Sequence, residues 1–214
     1  MAVLLLTGCA KGSSAAQSSE IKPDSSASSG SSAAQSSEIT PDSSAPADSG
    51  YNVVELEYTL NEMKGYIWVQ QPAAEFREVT WGEAMRLFQE KGTGLLLFGY
   101  ENCNYCQRAV PLLSEAAKEQ NRPVYYIDVY AEPQPTEEEF KTMCQYIAET
   151  MEWDENGEPE FFVPIVIGIR NGEITGYHVS LVDGFTPKDT SDQLTDEQKE
   201  RLKNIYLEIM EKTF

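Results

Sequence analysis

The 214-residue chain has few of the residue types that most often carry chemistry, with only four cysteines and one histidine. A metal site needs several ligands at a recognisable spacing, and His178 has no second histidine with which to form one. No nucleophile elbow surrounds a serine, so a Ser-His-Asp triad has no support either. We therefore interpret His178 as a structural residue and expect no metal.

Basic residues are also scarce, because 16 Lys and Arg stand against 35 Asp and Glu, a net charge of -19. From residue 51 onward, 14 basic and 30 acidic residues remain. Nucleic-acid binding gains most of its affinity by neutralising phosphates with Lys and Arg, and an acidic surface repels both phosphates and anionic lipid. The composition therefore argues against a nucleic-acid partner.

A long hydrophobic run is missing as well. The densest apolar segment spans residues 161–169, and Pro164 and Gly168 interrupt it. A membrane-spanning helix needs about 18 or more consecutive apolar residues. Any attachment to a membrane is therefore expected to be through a lipid.

Large apolar residues are nearly missing from residues 13–50, where 15 of 38 residues are serine. Such a segment cannot offset the entropy cost of ordering the chain. Residues 13–27 recur with one change at residues 31–45, but a solenoid repeat would carry a hydrophobic face in each copy. We predict a disordered spacer over residues 9–50 and one domain over residues 51–214.

The N-terminus ends a short apolar stretch with Leu6-Thr7-Gly8-Cys9. This resembles the lipobox of bacterial lipoproteins, in which a small residue precedes a cysteine that receives a diacylglyceryl group. The resemblance implies a signal peptide over residues 1–8, lipidation of Cys9 and a domain held at the extracellular face of the cytoplasmic membrane. The apolar stretch is short and no basic residue precedes it, so we expect a truncated start. The alternative is an incidental cysteine.

Three helices are predicted from a capping-box pattern, in which a threonine is followed three residues later by a glutamate or glutamine. These threonines are Thr80, Thr136 and Thr195. Apolar residues at helical spacing follow each of them, which predicts amphipathic helices.

Strands are predicted from short apolar or β-branched runs without helical period. They span residues 95–100, 124–129 and 161–169, and an Asn171-Gly172 turn leads into a fourth at residues 173–179. A helix over residues 106–120 joins the first two strands, which predicts a parallel pair with a right-handed crossover. Alternating apolar residues between residues 51 and 79 predict one or two edge strands. The pattern is that of an α/β domain with a mixed sheet.

Cys103 and Cys106 form a Cys-x-x-Cys pair directly after the first predicted strand and at the start of a helix. The unpaired N–H groups and the dipole of a helix N-terminus favour thiolate over thiol, which lowers the pKa of the first cysteine. Cys103 would then attack a disulfide, and Cys106 would resolve the mixed disulfide that forms.

Three other interpretations of the pair remain open. A zinc site would need about four ligands, and the remaining candidates, Cys144 and His178, form no second pair. A structural disulfide would close a small loop and stabilise little. The two thiols could also be buried and unrelated. Cys144 lies on the apolar face of its predicted helix, which indicates a buried, inert thiol rather than a third redox partner.

Two segments resemble the thioredoxin family. The first is C-N-Y-C-Q-R-A-V-P from Cys103, with a proline five residues after the second cysteine, and the second is V-P-I-V-I-G-I-R-N-G-E from Val163. The resemblance implies a thioredoxin-like fold and a cis Pro164 that faces the disulfide. It also implies that Val163 pairs with an extended substrate segment, with Asn104 and Tyr105 beside it.

The chain departs from thioredoxin itself at two positions. Leu97 stands where thioredoxin has a buried acid, and Asn102 stands where it has a tryptophan. With the lipobox and the spacer, the chain looks most like thioredoxin-like lipoproteins of Gram-positive bacteria, among them bacteriocin transport accessory proteins.

We therefore expect an exported, membrane-anchored thiol–disulfide oxidoreductase. It would act as a monomer on thiols or disulfides of exported proteins, with an electron-transfer partner and with no cofactor beyond the Cys103–Cys106 pair. The alternative is a surface binding module on the same scaffold, in which the pair is idle.

Overall fold

The computed structural model describes Ala2–Val3 and residues 50–214. Cys9, the rest of the predicted signal peptide and the predicted spacer up to residue 49 lie outside the described residues. In the part of the chain that the structure describes, no helix has the length and apolar character needed to cross a membrane.

The described residues form ten short or medium β-strands and four α-helices. The strands are β1 (Ala2–Val3), β2 (Thr59–Leu60), β3 (Phe76–Glu78), β4 (Gly94–Gly99), β5 (Val124–Asp128), β6 (Glu152–Trp153), β7 (Pro159–Glu160), β8 (Phe162–Val163), β9 (Ile165–Arg170) and β10 (Glu173–Val179). The helices are α1 (Trp81–Gln89), α2 (Asn104–Gln120), α3 (Glu137–Tyr146) and α4 (Asp196–Thr213), with a 3-10 turn at Ala148–Thr150.

A six-stranded mixed sheet organises the domain, with the strand order β10-β9-β4-β5-β3-β2. The strands β3, β5 and β4 run parallel, whereas β9, β10 and β2 are each antiparallel to their inner neighbour. The predicted parallel pair, β4 and β5 joined through α2, is confirmed. Its register places Leu97 beside Tyr126 and Gly99 beside Asp128.

Helices cover both faces of this sheet. Side chains alternate between the faces along a strand, so Gly94 and Gly99 of β4 point to opposite sides. A Cβ on Gly94 would contact Leu87 of α1, whereas a Cβ on Gly99 would contact Cys106 of α2. Helix α3 packs with α1, and α4 packs with α2. The predicted α/β class, a central mixed sheet flanked by helices, is confirmed.

The central strand β4 is buried along its whole length, with Leu95, Leu96, Leu97 and Phe98 each 0% exposed. Fully burying one such side chain stabilises the fold by about 1.5–3 kcal/mol. A strand covered on both faces has a continuous apolar sequence rather than an alternating one, which is why this run lacks a helical period. The C-terminal end of β4 leads directly into the Cys-x-x-Cys segment.

Two of the three predicted capping boxes, those of α3 and α4, are complete. At α1 the Thr80 hydroxyl accepts a hydrogen bond from the Glu83 amide at 3.2 Å, but no bond returns from Glu83 to the Thr80 amide. The Glu83 carboxylate instead accepts from the Glu57 amide at 2.8 Å and pairs with Arg86. The segment before α1 and the helix itself therefore each supply a donor that competes with the Thr80 amide.

Residues 51–79 are predicted to form one or two edge strands; they contain two strands, but at different positions from the alternating residues, and only one of the two is an edge strand. β2 is the edge of the sheet and β3 lies next to it. Between them the chain turns, since the amide of Tyr66 donates to the Met63 carbonyl and the amide of Val69 to that of Tyr66. The side chains of Met63, Tyr66 and Val69 are buried at a spacing of three residues. An alternating pattern of apolar residues does not predict this spacing.

The strand predicted over residues 161–169 is divided at Pro164, because proline has no N–H with which to continue a ladder. β8 lies before it and pairs with β1, whereas β9 lies after it and joins the main sheet. The predicted turn at Asn171-Gly172 connects β9 to β10. Both residues have positive φ, 52° and 84°, as a tight hairpin turn requires.

Candidate active site

Cys103 is the N-cap residue of α2 and directly precedes its first turn. Its backbone is extended, with φ -81° and ψ 117°, and its Sγ accepts a hydrogen bond from the amide of Cys106 at 3.2 Å. The first amides of a helix have no partner within the helix, and an N-cap side chain satisfies one of them. The fold thus places a sulfur where a negative charge is stabilised.

Cys106 lies one turn further into α2 and is 0% exposed. Its Sγ sits over Gly99 at the end of β4, 3.3 Å from the position that a Cβ would take there. Cys103 and Cys106 are both free thiols in the structure. The described arrangement is therefore the reduced form of the pair.

The two thiols differ in acidity. The pKa of Cys103 falls from 9.0 to about 7, mainly because the Cys106 thiol donates a hydrogen bond to it, with further help from the amides of Cys106 and Tyr105. Burial opposes this effect. Burial also raises the pKa of Cys106 well above its ordinary value. At neutral pH a thiolate therefore forms on Cys103, while Cys106 keeps its proton.

The segment around Pro164 faces the pair. The Val163–Pro164 peptide is cis, as the resemblance implies, and the carbonyl oxygen of Val163 lies 3.8 Å from the Sγ of Cys103. β8 ends at Val163, and its outer edge pairs with β1 in antiparallel register, Ala2 opposite Val163. The edge beside the thiols therefore accepts an extended backbone segment.

Asn104 and Tyr105, the residues between the two cysteines, are half-buried. The carbonyl oxygen of Asn104 accepts a hydrogen bond from Arg108 at 2.7 Å. Arg108 also donates to the carbonyl oxygens of Asp189 and Asp192, at 2.8 Å, and its guanidinium lies 4.9 Å from the centre of the Trp68 ring. This buried arginine therefore connects the start of α2 to residues 189–192 through hydrogen bonds and to Trp68 through a cation–π contact.

Gln107 makes a second connection of this kind. Its side chain donates to the carbonyl oxygens of Gly65 and Glu101 and accepts from the amide of Ile67 at 3.1 Å. The turn that precedes β3 is thereby held against the active-site helix. Neither Arg108 nor Gln107 could be identified from the sequence, because their partners are backbone groups that only the tertiary fold brings near.

The position of Leu97, where the resemblance would place a buried acid, is apolar and fully buried. Two buried hydroxyls lie on the same side of the sheet. The oxygens of Tyr66 and Tyr126 are 3.1 Å apart, and that of Tyr66 lies 3.5 Å from the Cβ position of Gly99, close to Cys106. Sequence patterns gave no signal for this pair, because Tyr66 comes from the irregular segment before β3.

Cys144 lies on α3 and His178 on β10. Burial raises the pKa of Cys144 to about 12, so the thiol stays protonated. Burial lowers the pKa of His178, whose ring packs edge-on against Tyr206. Among residues 50–214, no group of three or more His, Cys, Asp or Glu side chains is arranged to hold a metal.

Comparisons with known proteins give no match to a protein-family model and no match to a curated protein sequence. Solved structures do match. One is described as having a thioredoxin fold and a proposed oxidoreductase activity, is 15% identical, and aligns over 50% of this chain and 83% of its own with a TM-score of 0.35. A thioredoxin from Aeropyrum pernix is 21% identical and aligns over 48% of this chain and 73% of its own, with a TM-score of 0.33.

The order of the parallel and antiparallel strands, with α1 and α3 on one face and α2 and α4 on the other, is that of a thioredoxin-like fold. The fold expected from the sequence is thus confirmed. The Cys-x-x-Cys pair occupies the start of α2 at the C-terminal end of the central strand.

Proposed function

We propose that the protein is a thiol–disulfide oxidoreductase in which Cys103 attacks and Cys106 resolves. The observation that carries this proposal is the placement of the Cys103 sulfur. It caps α2, accepts a hydrogen bond from the Cys106 amide and faces the carbonyl of Val163. A thiolate is the nucleophile in disulfide exchange, and a pKa of about 7 supplies it at neutral pH.

The exchange proceeds in two steps when a substrate disulfide is reduced. The Cys103 thiolate bonds to one substrate sulfur, and the other substrate sulfur leaves as a thiolate with the electron pair of the broken bond. Cys106 then loses its proton and bonds to the Cys103 sulfur, which releases the second substrate thiolate. The oxidised pair receives two electrons from a separate partner, and substrate oxidation is the same sequence reversed.

The substrate is expected to bind as an extended segment along β8. The pairing of Ala2–Val3 with Phe162–Val163 supports this, because it places an antiparallel backbone beside Pro164 and Cys103. Backbone pairing at a sheet edge gives affinity without strict dependence on sequence. Asn104 and Tyr105 border the same place and would contact the residues that flank the substrate cysteine.

The location we propose is the extracellular face of a bacterial cytoplasmic membrane. Cys9 would carry the lipid, and the serine-rich spacer would separate the domain from the membrane. Disulfides persist outside the cytoplasm, so the partners would be exported proteins with thiols or disulfides. The setting resembles that of thioredoxin-like lipoproteins of Gram-positive bacteria, including bacteriocin transport accessory proteins.

A second candidate function is a binding module that uses the edge of β8 without exchange chemistry. The observations that favour it are the apolar Leu97 at the acid position and the burial of both thiols, at most 1% exposed. Such a module would bind a partner equally well without its cysteines.

Trapping separates the two. The full chain carrying Cys106→Ser is incubated with a disulfide-bonded peptide, and covalent adducts are mapped by mass spectrometry. Exchange predicts an adduct on Cys103 that the Cys103→Ser control lacks. If no adduct forms, while the double variant Cys103→Ser/Cys106→Ser binds the peptide as tightly as the wild-type protein, the binding module is the correct description.

A further inference from the structure

The buried thiol of Cys106 has a proton that must leave before it can attack the mixed disulfide. Its sulfur is 0% exposed, and burial raises its pKa, so water cannot remove the proton directly. The neighbouring strand offers Leu97, which has no group that could accept it. The proton therefore needs another route from the interior.

A pair of hydroxyls lies where such a route would begin. Tyr66 and Tyr126 are 3% and 2% exposed, and their oxygens are 3.1 Å apart. The Tyr66 oxygen and the Cys106 sulfur both lie within 3.5 Å of the Cβ position of Gly99. The thiol and the first hydroxyl therefore border the same space, which is open because position 99 has no side chain.

A carboxylate lies on the same face of the sheet as these hydroxyls. Tyr126 and Asp128 are two residues apart on β5, so their side chains point to the same face of the sheet. The strand register sets Asp128 beside Gly99. The Asp128 side chain is half-buried and accepts a hydrogen bond from the Tyr130 amide at 2.9 Å. The carboxylate therefore reaches solvent.

Three other titratable groups surround the Cys106 sulfur. They are Cys103, Tyr100 and Tyr206, each of which couples electrostatically to it. Cys103 is consumed in the mixed disulfide. The Tyr206 hydroxyl is buried and has no hydrogen-bond partner among the described residues, so it offers no continuation of a path there. Tyr66 differs because its hydroxyl is already hydrogen-bonded to a second one.

We propose that Tyr66 and Tyr126 form a proton path that carries the thiol proton of Cys106 to Asp128 while the mixed disulfide is resolved, an inference that rests on the exchange reaction proposed above. The Cys106 sulfur bonds to the Cys103 sulfur, and the bond from Cys103 to the substrate breaks. The substrate leaves as a thiolate with that electron pair. The Cys106 proton moves to the Tyr66 oxygen, the Tyr66 proton to Tyr126, and the Tyr126 proton to Asp128, which releases it to water.

The test uses dithiobis(nitrobenzoate), an aromatic disulfide whose released thiolate is coloured. The reduced full chain, with Cys9→Ser and Cys144→Ala to remove other thiols, is mixed with the reagent in a stopped-flow instrument. Attack by Cys103 releases the first coloured thiolate, and resolution by Cys106 releases the second. The two phases report on the exchange reaction and on the proton path separately.

Tyr66→Phe and Tyr126→Phe are expected to leave the first phase unchanged and to slow the second on the order of 100-fold at pH 7, the usual scale for lost acid–base assistance. The slow phase should recover as the pH rises, because hydroxide then removes the proton. Asp128→Asn, at a half-exposed site, should also slow the second phase. Tyr125→Phe, which points to the opposite face near Gly94, should resemble the wild type.

If Tyr66→Phe and Tyr126→Phe show the same second phase and the same pH profile as the wild-type protein, the proposed proton path is wrong. The exchange reaction would be unaffected by that result. A normal second phase in Asp128→Asn would overturn the assignment of the proton acceptor. Absence of the first phase in the parent protein would instead overturn the exchange reaction, and the path with it.

Discussion

The sulfur of Cys103 and the carbonyl oxygen of Val163 lie 3.8 Å apart, although 60 positions separate them in the chain. The contact joins the start of α2 to the end of β8, directly before the cis Pro164. A substrate segment paired with β8 would therefore present its disulfide to the nucleophile. The contact between Cys103 and Val163 therefore depends on the order of the strands in the sheet, and the proposed disulfide exchange depends on that contact.

The rate of alkylation of Cys103 by iodoacetamide is expected to rise with pH, to be half-maximal near pH 7 and to level off above it. The direction follows because only the thiolate reacts and the folded environment lowers its pKa. Cys106→Ala should move the midpoint upward, since the hydrogen bond from the Cys106 thiol is the largest cause of the shift. Mass spectrometry identifies the modified residue. A wild-type midpoint at 9.0 would contradict this description of the site.

Arg108→Met is expected to lower the free energy of unfolding by about 3 kcal/mol. The change removes a buried charged donor and leaves three backbone carbonyls without it, and bonds of this kind contribute about 1.5–3 kcal/mol each. Urea denaturation measures the loss, and limited proteolysis should cut between residues 188 and 192. Arg86→Met, which removes ion pairs at the surface, is the control and should cost less than about 1 kcal/mol. Equal losses in both variants would contradict the role of Arg108.

Gly168→Ala and Gly176→Ala test the packing of α4 on the sheet. The two glycines are register partners on β9 and β10. A Cβ on Gly168 would overlap the Thr213 hydroxyl, whereas one on Gly176 would lie 3.5 Å from Ile209, an ordinary contact. Thermal denaturation should therefore show that Gly168→Ala lowers the free energy of unfolding by about 1–3 kcal/mol, the usual cost of overpacking. Gly176→Ala should leave it almost unchanged. The reverse order would show that α4 sits differently.

Cys144 is expected to resist alkylation in the folded protein at pH 8 and to react only after denaturation. Burial raises its pKa to about 12, so almost no thiolate is present. Cys144→Ala should accordingly leave the rates of disulfide exchange unchanged. Rapid modification of Cys144 under native conditions would make it a third participant in the redox chemistry.

Much of the fold could be predicted because its signals are local. The continuous apolar run of β4, the caps of α3 and α4 and the Asn171-Gly172 turn each depend on neighbouring residues. The position of Cys103 at a helix start follows from the same kind of signal. These elements fix the order of strands and helices that the structure contains.

The parts that the sequence did not reveal depend on distant contacts. Tyr66 lies in a turn whose apolar residues resemble an alternating strand, and only tertiary packing brings its hydroxyl to Tyr126. Arg108 finds backbone acceptors more than 80 residues away, as its bond to Asp189 shows. Any residue type can supply a backbone carbonyl as an acceptor, so no sequence motif identifies these hydrogen bonds.

The proposed function requires that Cys103 and Cys106 exchange two electrons with substrate disulfides. This is tested by equilibrating the full chain with glutathione buffers of increasing oxidised fraction, quenching with acid, and quantifying the Cys103–Cys106 disulfide by mass spectrometry. We expect one reversible two-electron transition, and we expect the reduced protein to catalyse the reduction of insulin disulfides. A pair that forms no disulfide at any buffer ratio, or one that forms it but never transfers electrons to insulin, would show that the proposed function is wrong.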